Sequence, residues 1–227
     1  MNKLKVKTLN LSLLVHRRST MWAGTRRPSP PATTVHEIDF AGDVIVTTVT
    51  SSGSAAAVWL RSLTPSLRNL QTPIVGLDCE WRPNFTAGSS NLVATLQLCF
   101  SSQCLILQLQ YMDSIPRILR DFLSDPSISF VGVGIMADVS KLYDDYDLQC
   151  GNPVDLDPLC CSYLGLDNRR SLGLKGYAKE ILGLTMVKPR RVTLSNWESR
   201  VLSYCQIEYA CIDACASYYL GCRLLSE

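Results

Sequence analysis

Residues 74–81 read Ile74-Val75-Gly76-Leu77-Asp78-Cys79-Glu80-Trp81. An apolar run that turns directly into two carboxylates spaced by two has the form of a buried strand. Side chains alternate along a strand, so Asp78 and Glu80 leave one face, roughly 7 Å apart, while Leu77 and Cys79 leave the other. Two anions side by side on a buried surface repel and lose hydration unless a cation lies between them, and a divalent metal meets that need. The plain alternative is an edge strand with two solvated acids.

Outward from this strand, the β-branched run Val44–Thr50 predicts another strand, and Ser54 caps a helix from Ala55 to about Arg68, with Pro65 near its last turn. Residues 82–91 read as a polar loop. Leu92–Phe100 and Cys104–Leu109 then predict two strands around Ser101-Ser102-Gln103, completing an antiparallel meander of three. Beyond it the period alternates. Ile115–Leu123 is helical, Ile128–Ile135 suits a strand buried on both faces, and Met136–Tyr146 is helical again. Residues 147–170 are irregular and polar, a helix over 171–182 starts from a serine cap, Lys188-Pro189-Arg190-Arg191 is a basic loop, and a last helix runs from about Ser203 to Leu224. A meander followed by βα units defines an α/β fold: a mixed sheet of five or six strands with helices on both faces.

The chain has 227 residues, 47% hydrophobic and 19% charged, which fits one globular domain, here residues 37–227. Residues 1–36 hold seven bases and no acid, with Ser, Thr and Pro in abundance, and read as a disordered basic tail or an organellar transit segment; Met21 stands as an alternative start. That leaves 15 of the 22 bases against all 20 acids from residue 37 onward, a net of −5. A general electrostatic nucleic-acid binder shows the reverse balance, so any nucleic-acid chemistry here is local and leans on metal charge. Ten cysteines without a C-x-x-C pair look like small core residues in a reducing compartment. Both histidines, His16 and His36, lie upstream of the predicted elements, which excludes Ser-His-Asp or Cys-His machinery and a histidine-ligated zinc in the core. No run approaches the roughly 18 apolar residues of a membrane span.

Two further acids stand where ligands collect. Asp138 follows the buried run 128–135, at the carboxyl end of a central strand. Asp213 lies in the apolar last helix, four residues after Tyr209, so the two share a face, with Cys211 and Cys215 about 200° away around the helix. Each acid alone has an ordinary reading: Asp138 as a first-turn acid favoured by the helix dipole, Asp213 as half of an ion pair. Taken jointly, Asp78, Glu80, Asp138 and Asp213 form a set that can hold two divalent ions roughly 4 Å apart, the arrangement that activates water for phosphodiester hydrolysis. Oxygen-only ligands suit Mg²⁺ or Mn²⁺ rather than zinc.

The segments Val75-Gly-Leu-Asp-Cys-Glu-Trp81, Val131-Gly-Val-Gly-Ile-Met-Ala-Asp-Val-Ser-Lys-Leu142, Leu194-Ser-Asn-Trp197 and Tyr209-Ala-Cys-Ile-Asp-Ala214 resemble the three motifs of the DEDDy 3′-to-5′ exonucleases. Within that family the likeness is greatest to the exonuclease domain of the Werner syndrome protein and its stand-alone plant relatives, with ribonuclease D a more distant cousin. The resemblance spans about residues 40–225 and implies a ribonuclease H-like fold. It also implies that Asp78 bridges both metals, that Glu80 and Asp213 complete the first metal's shell, that Asp138 holds the second, and that Tyr209 orients the attacking water. Lys188, Arg190 and Arg191 are candidates for the phosphate backbone, a solvated loop being the alternative. Gln97 is a candidate substrate contact, or else a core hydrogen-bonder. Trp81 and Trp197 read as packing rather than base stacking, and Lys141 as a partner of a site acid or a rim residue.

The expected function is metal-dependent 3′-5′ exonucleolytic hydrolysis of DNA or RNA 3′ ends. The alternatives are a binding module of the same fold with weak or no turnover, or a metal-free carboxylate hydrolase. No helicase motif is present, so a helicase or DNA-repair partner is expected to supply any unwinding. The expected location is nucleus and/or cytoplasm, with mitochondrion or plastid as the alternative through the basic N-terminus.

Overall fold

A computed structural model describes residues 33–83, 90–167 and 171–225 of the chain. Residues 1–32, most of the expected basic tail, lie outside the described ones; among the described residues regular structure is present from Thr33 onward. Strands β1 (Thr33–Phe40) and β2 (Asp43–Thr50) pair antiparallel around Ala41-Gly42. Both turn residues have positive φ, 57° and 86°, the conformation a tight two-residue hairpin requires. His36 therefore lies inside a strand, half-buried, rather than ahead of the fold.

Helix α1 (Gly53–Arg68) follows. Ser52, not Ser54, is its cap, its Oγ accepting from the Ala55 N–H at 3.3 Å, while Asp113 accepts from the Gly53 N–H at 2.7 Å. Next come β3 (Ile74–Glu80), β4 (Thr95–Phe100) and β5 (Gln103–Gln108), the expected meander, and then α2 (Arg117–Leu123), β6 (Ser129–Gly132) and α3 (Ile135–Tyr146). The supposedly irregular 147–170 contains two elements, β7 (Pro153–Asp155) and α4 (Leu156–Tyr163); residues 168–170 lie outside the described ones, as do 84–89 of the polar loop. Asp155 caps α4 by accepting from the Asp157 N–H at 3.0 Å. Helices α5 (Gly173–Leu182), α6 (Arg190–Thr193) and α7 (Tyr204–Leu225) complete the chain, so Arg190 and Arg191 open a single helical turn instead of lying in a loop. The start of α7 is a capping box: Ser203 Oγ accepts from the Gln206 N–H, and Gln206 Oε1 accepts from the Ser203 N–H at 3.0 Å.

Among the described residues the strands form one sheet in the order β1-β2-β5-β4-β3-β6-β7, seven rather than five or six, because β1 and β7 extend the edges. Strand β2 runs parallel to β5, and β3 runs parallel to β6, which runs parallel to β7. Val75, Leu77, Cys79, Leu96, Leu98, Leu105 and Leu107 face α1, α2 and α3 in one core. The opposite face packs Ile45, Val49, Cys99, Cys104 and Ile106 against α7. Gly76 governs the approach of that helix, since a Cβ there would lie 2.0 Å from the Ala214 carbonyl oxygen and 2.8 Å from the Tyr218 nitrogen. A backbone oxygen held in a helix cannot step aside as a flexible side chain can.

Gly76→Ala is therefore expected to cost ~3 kcal/mol, lowering Tm by roughly 6–12 °C for a domain of this size. Thermal melting followed by circular dichroism reads the change, and an unaltered Tm would show that α7 does not bear on β3.

Candidate active site

Because α7 touches β3 at Gly76, the side chains two and four residues along the same strand face lie under the helix. Asp78 and Glu80 meet Asp213 there, and carboxylate oxygens of all three lie within 4.8 Å of one another. Asp78 and Glu80 are half-buried and Asp213 is 3% exposed. Asp138 sits in the first turn of α3, buried, and stands outside that three-acid group. Its negative charge nonetheless raises the pKa of both Asp78 and Glu80.

Burial and mutual repulsion push these acids upward. Asp78 lies well above the ordinary carboxylate value through burial first, then Asp213, Glu80 and Asp138. Glu80 is raised to about 8 by burial and then Asp213, and Asp138 to about 7 by burial and then Asp155. Asp213 is also raised, burial outweighing the nearby ammonium of Lys188. That ammonium donates to Asp213 Oδ2 at 2.7 Å and lies 5.2 Å from the Tyr209 ring centre. Burial pulls the Lys188 pKa down, but Asp213 more than reverses this. Asp213 Oδ1 is buried with no hydrogen-bond donor. A buried acceptor without a donor, in an all-oxygen group with more acids than nearby cations, fits a hard divalent cation.

Tyr209 lies one turn before Asp213 and is 8% exposed. Its hydroxyl meets Thr193 Oγ1 at 3.4 Å and its ring packs on Trp197. Burial and then Asp213 raise its pKa to about 12. The other expected contacts divide. Lys188 enters the site instead of lying in a solvated loop, while Arg190 and Arg191 are exposed on α6. Gln97 stands opposite Asp78 in the β3–β4 register but is fully buried, its amide donating to Thr95 Oγ1 at 2.7 Å, so it has a core hydrogen bond and no exposed face. Trp197 is packing, 1% exposed, with its indole N–H on the Thr193 carbonyl. Lys141 lies over the Trp81 ring and pairs with Asp145 at 2.8 Å rather than with a site acid.

The sequence reading passed over Asp155. Its Oδ1 accepts from the Gly134 N–H at 2.9 Å, fixing the turn that leads into α3 and Asp138. The signal was present in Asp155-Leu156-Asp157-Pro158, an N-cap followed by an acidic and proline-bearing first turn. A cleft of about 570 Å³ borders the site, lined by Phe40, Ala41, Val187, Arg191, Tyr209 and Ile212 among others.

A mixed α/β sheet thus gathers carboxylates beneath its last helix in an all-oxygen group that could hold a divalent cation. A family model described as 3′-5′ exonuclease matches residues 57–227, and the chain belongs to that family. The matched region excludes the β1–β2 hairpin. A 3′-5′ exonuclease of Arabidopsis thaliana is 36% identical over 147 residues, covering 64% of this chain and 50% of that protein. The bifunctional 3′-5′ exonuclease/ATP-dependent helicase WRN of Mus musculus is 33% identical over 160 residues, 70% of this chain and 11% of that one. The chain thus spans half the length of the plant relative and a small part of the mouse one. The crystal structure of Escherichia coli RNase D superimposes with a TM-score of 0.65 at 17% identity, covering 78% of this chain and 44% of that one, and shows the ribonuclease H-like fold.

The acids give a pH signature. With folded pKa values of about 8 for Glu80 and about 7 for Asp138, against ordinary values of 4.5 and 3.8, the native state holds protons that the unfolded chain has released. Stability of the metal-free protein therefore falls as pH rises from about 4 to 8. A divalent cation replaces those protons, so saturating Mn²⁺ is expected to raise Tm more at about pH 8 than at about pH 6. Scanning fluorimetry in Mn²⁺ and in EDTA reads this; equal shifts at both pH values would contradict it.

Proposed function

We propose that this protein is a divalent-metal-dependent exonuclease that hydrolyses phosphodiester bonds from the 3′ end of a nucleic acid. The observation that carries this is the convergence of Asp78, Glu80 and Asp213 within 4.8 Å, with Asp213 Oδ1 left without a donor. Family membership agrees with it.

In this reading Asp78, Glu80 and Asp213, with Asp138 beside them, would hold two Mg²⁺ or Mn²⁺ ions. Ions bound there lower the pKa of water and neutralise charge on the phosphoryl oxygens. The rest falls to the chain. Tyr209, with a pKa of about 12, keeps its proton at neutral pH and serves as a donor that orients water rather than as a base. Thr193 and Trp197 hold its hydroxyl and ring in place. Lys188 donates to Asp213, opposes the upward pull of burial on its carboxyl, and sits where it can share its charge with an incoming phosphate. Arg190 and Arg191, exposed on α6, offer backbone contacts beside the cleft. A helicase partner fits the same reading, because the mouse relative is named as a bifunctional exonuclease and helicase.

The test uses 5′-labelled DNA and RNA, with recessed and single-stranded 3′ ends, in Mg²⁺, Mn²⁺ or EDTA. A ladder shortened from the 3′ end in metal and absent in EDTA is expected. Asp78→Ala should lower the rate at least ~1,000-fold, about 4 kcal/mol of transition-state stabilisation, with an unchanged circular dichroism spectrum. Cleavage that persists in that variant or in EDTA would overturn the assignment.

A further inference from the structure

Lys188 brings a positive charge in among carboxylates, and Asp213 divides its two oxygens around it. The ammonium donates to Asp213 Oδ2 at 2.7 Å, whereas Asp213 Oδ1 is buried without a donor. The charge reaches past that one bond. It opposes the rise in pKa of Asp78, of Glu80 and of Asp213, the same three acids whose oxygens lie within 4.8 Å of one another. The shift of Asp138 comes instead from burial and Asp155. Lys188 is thus the counter-ion of the three-acid group and not of the fourth acid.

An ammonium and a divalent cation that neutralise the same acids oppose each other. Both can be held by Asp213, one on each oxygen, but they then meet as like charges in a partly buried setting where salt screens little. An outer hydrogen bond to a metal ligand can act in the other direction, supporting affinity by about 10–100-fold because it holds the ligand in place. Asp213 has small need of that support. It is 3% exposed on a helix seated against β3 at Gly76, so packing already sets its direction. Repulsion therefore outweighs orientation at this position.

The lysine is also placed to leave. It comes neither from the sheet nor from α7 but from residues 183–189, which join α5 to α6, and the preceding Val187 is 78% exposed. The Lys188 side chain itself keeps 25% of its surface open. An ammonium on a flexible four-carbon stem can turn from Asp213 to a phosphate while every acid stays where it is.

We propose, on the exonuclease reading above, that Lys188 couples metal loading to phosphate binding. While it neutralises Asp78, Glu80 and Asp213 it holds their affinity for a divalent cation down, and a nucleotide phosphate that draws the ammonium away raises that affinity. The exchange is one of ionic contacts only, with no covalent step.

Mn²⁺ binding to the full chain, followed by calorimetry and by the electron paramagnetic resonance signal of free Mn²⁺, tests this without turnover. Wild type, Lys188→Met and Lys188→Arg are compared with and without thymidine 5′-monophosphate. Without nucleotide, Lys188→Met should bind Mn²⁺ at least ~5-fold more tightly than wild type, and Lys188→Arg, which keeps the charge, should stay within ~2-fold of it. Saturating nucleotide should tighten Mn²⁺ binding to wild type at least ~5-fold and to Lys188→Met by clearly less, the difference being the share of the coupling that passes through the lysine. Should Lys188→Met fail to fold by circular dichroism, Lys188→Gln carries the same expectation. Mn²⁺ affinity unchanged or weakened in the neutral variant, or the same nucleotide effect in both proteins, would overturn the coupling alone. Mn²⁺ bound by none of the proteins would overturn the exonuclease reading and the coupling with it.

Discussion

Where α7 crosses β3 the two backbones are in contact, Gly76 lying beneath the Ala214 carbonyl with no room for a methyl group. Much else in the molecule is arranged around that crossing. It is matched along the helix by Ala210, Ala214 and Ala216, all fully buried, and by Gly221, where a Cβ would come 2.8 Å from Val131 Cγ2. Small residues bring the helix down onto the sheet, and the descent carries Asp213 onto Asp78 and Glu80. The same descent carries Cys211 and Cys215 onto Cys99 and Cys104. A larger residue at the crossing would lift both clusters together.

The carboxylates make this closeness costly. Within this three-acid group Asp213 raises the pKa of Asp78 and Glu80, and Glu80 raises that of Asp78, while the one ammonium paired with them among the described residues is that of Lys188. The apolar burial of α7 and of the core beneath the sheet offsets that repulsion. Sites of this kind place stability and function in opposition, because the groups that most destabilise the metal-free fold are the ones best placed to take a cation. Asp138 occupies a milder position. Standing outside the three-acid group and fixed by the Asp155-anchored turn, it contributes charge to the centre without crowding it.

Periodicity disclosed much of this and tertiary contact the remainder. The two-residue spacing of Asp78 and Glu80 and the four-residue spacing of Tyr209 and Asp213 set the faces these residues occupy, because strand and helix geometry alone determine them. Helical phase also turned Cys211 and Cys215 away from Tyr209 and Asp213. It carried no information on the hairpin register that puts Cys99 and Cys104 beside them. Strand β1 was hidden because its alternation, with Ile38 and Phe40 inward, starts inside a basic stretch whose composition discourages a core. Strand β7 is three residues long and opens on Pro153, tolerable only at an edge. Lys188 joins Asp213 across 25 positions of sequence, a pairing that no local pattern encodes.

The charge balance makes better sense with the site in place. Residues 37–227 carry a net of −5, unfavourable for long-range attraction of a polyanion. Yet Lys188, Arg190, Arg191 and Arg200 all fall between α5 and α7, with Arg191 lining the cleft beside Tyr209 and Arg200 set over the Tyr111 ring at 4.7 Å. Bases thus lie close in sequence to the site, though Asp39 and Glu208 share the lining of the cleft with Arg191, and the carboxylates beside it are neutralised when a cation binds them. A field built this way is short-ranged and conditional on the cation. It favours a phosphate already at the rim over a distant duplex, which suits chemistry confined to the end of a strand better than binding along its length.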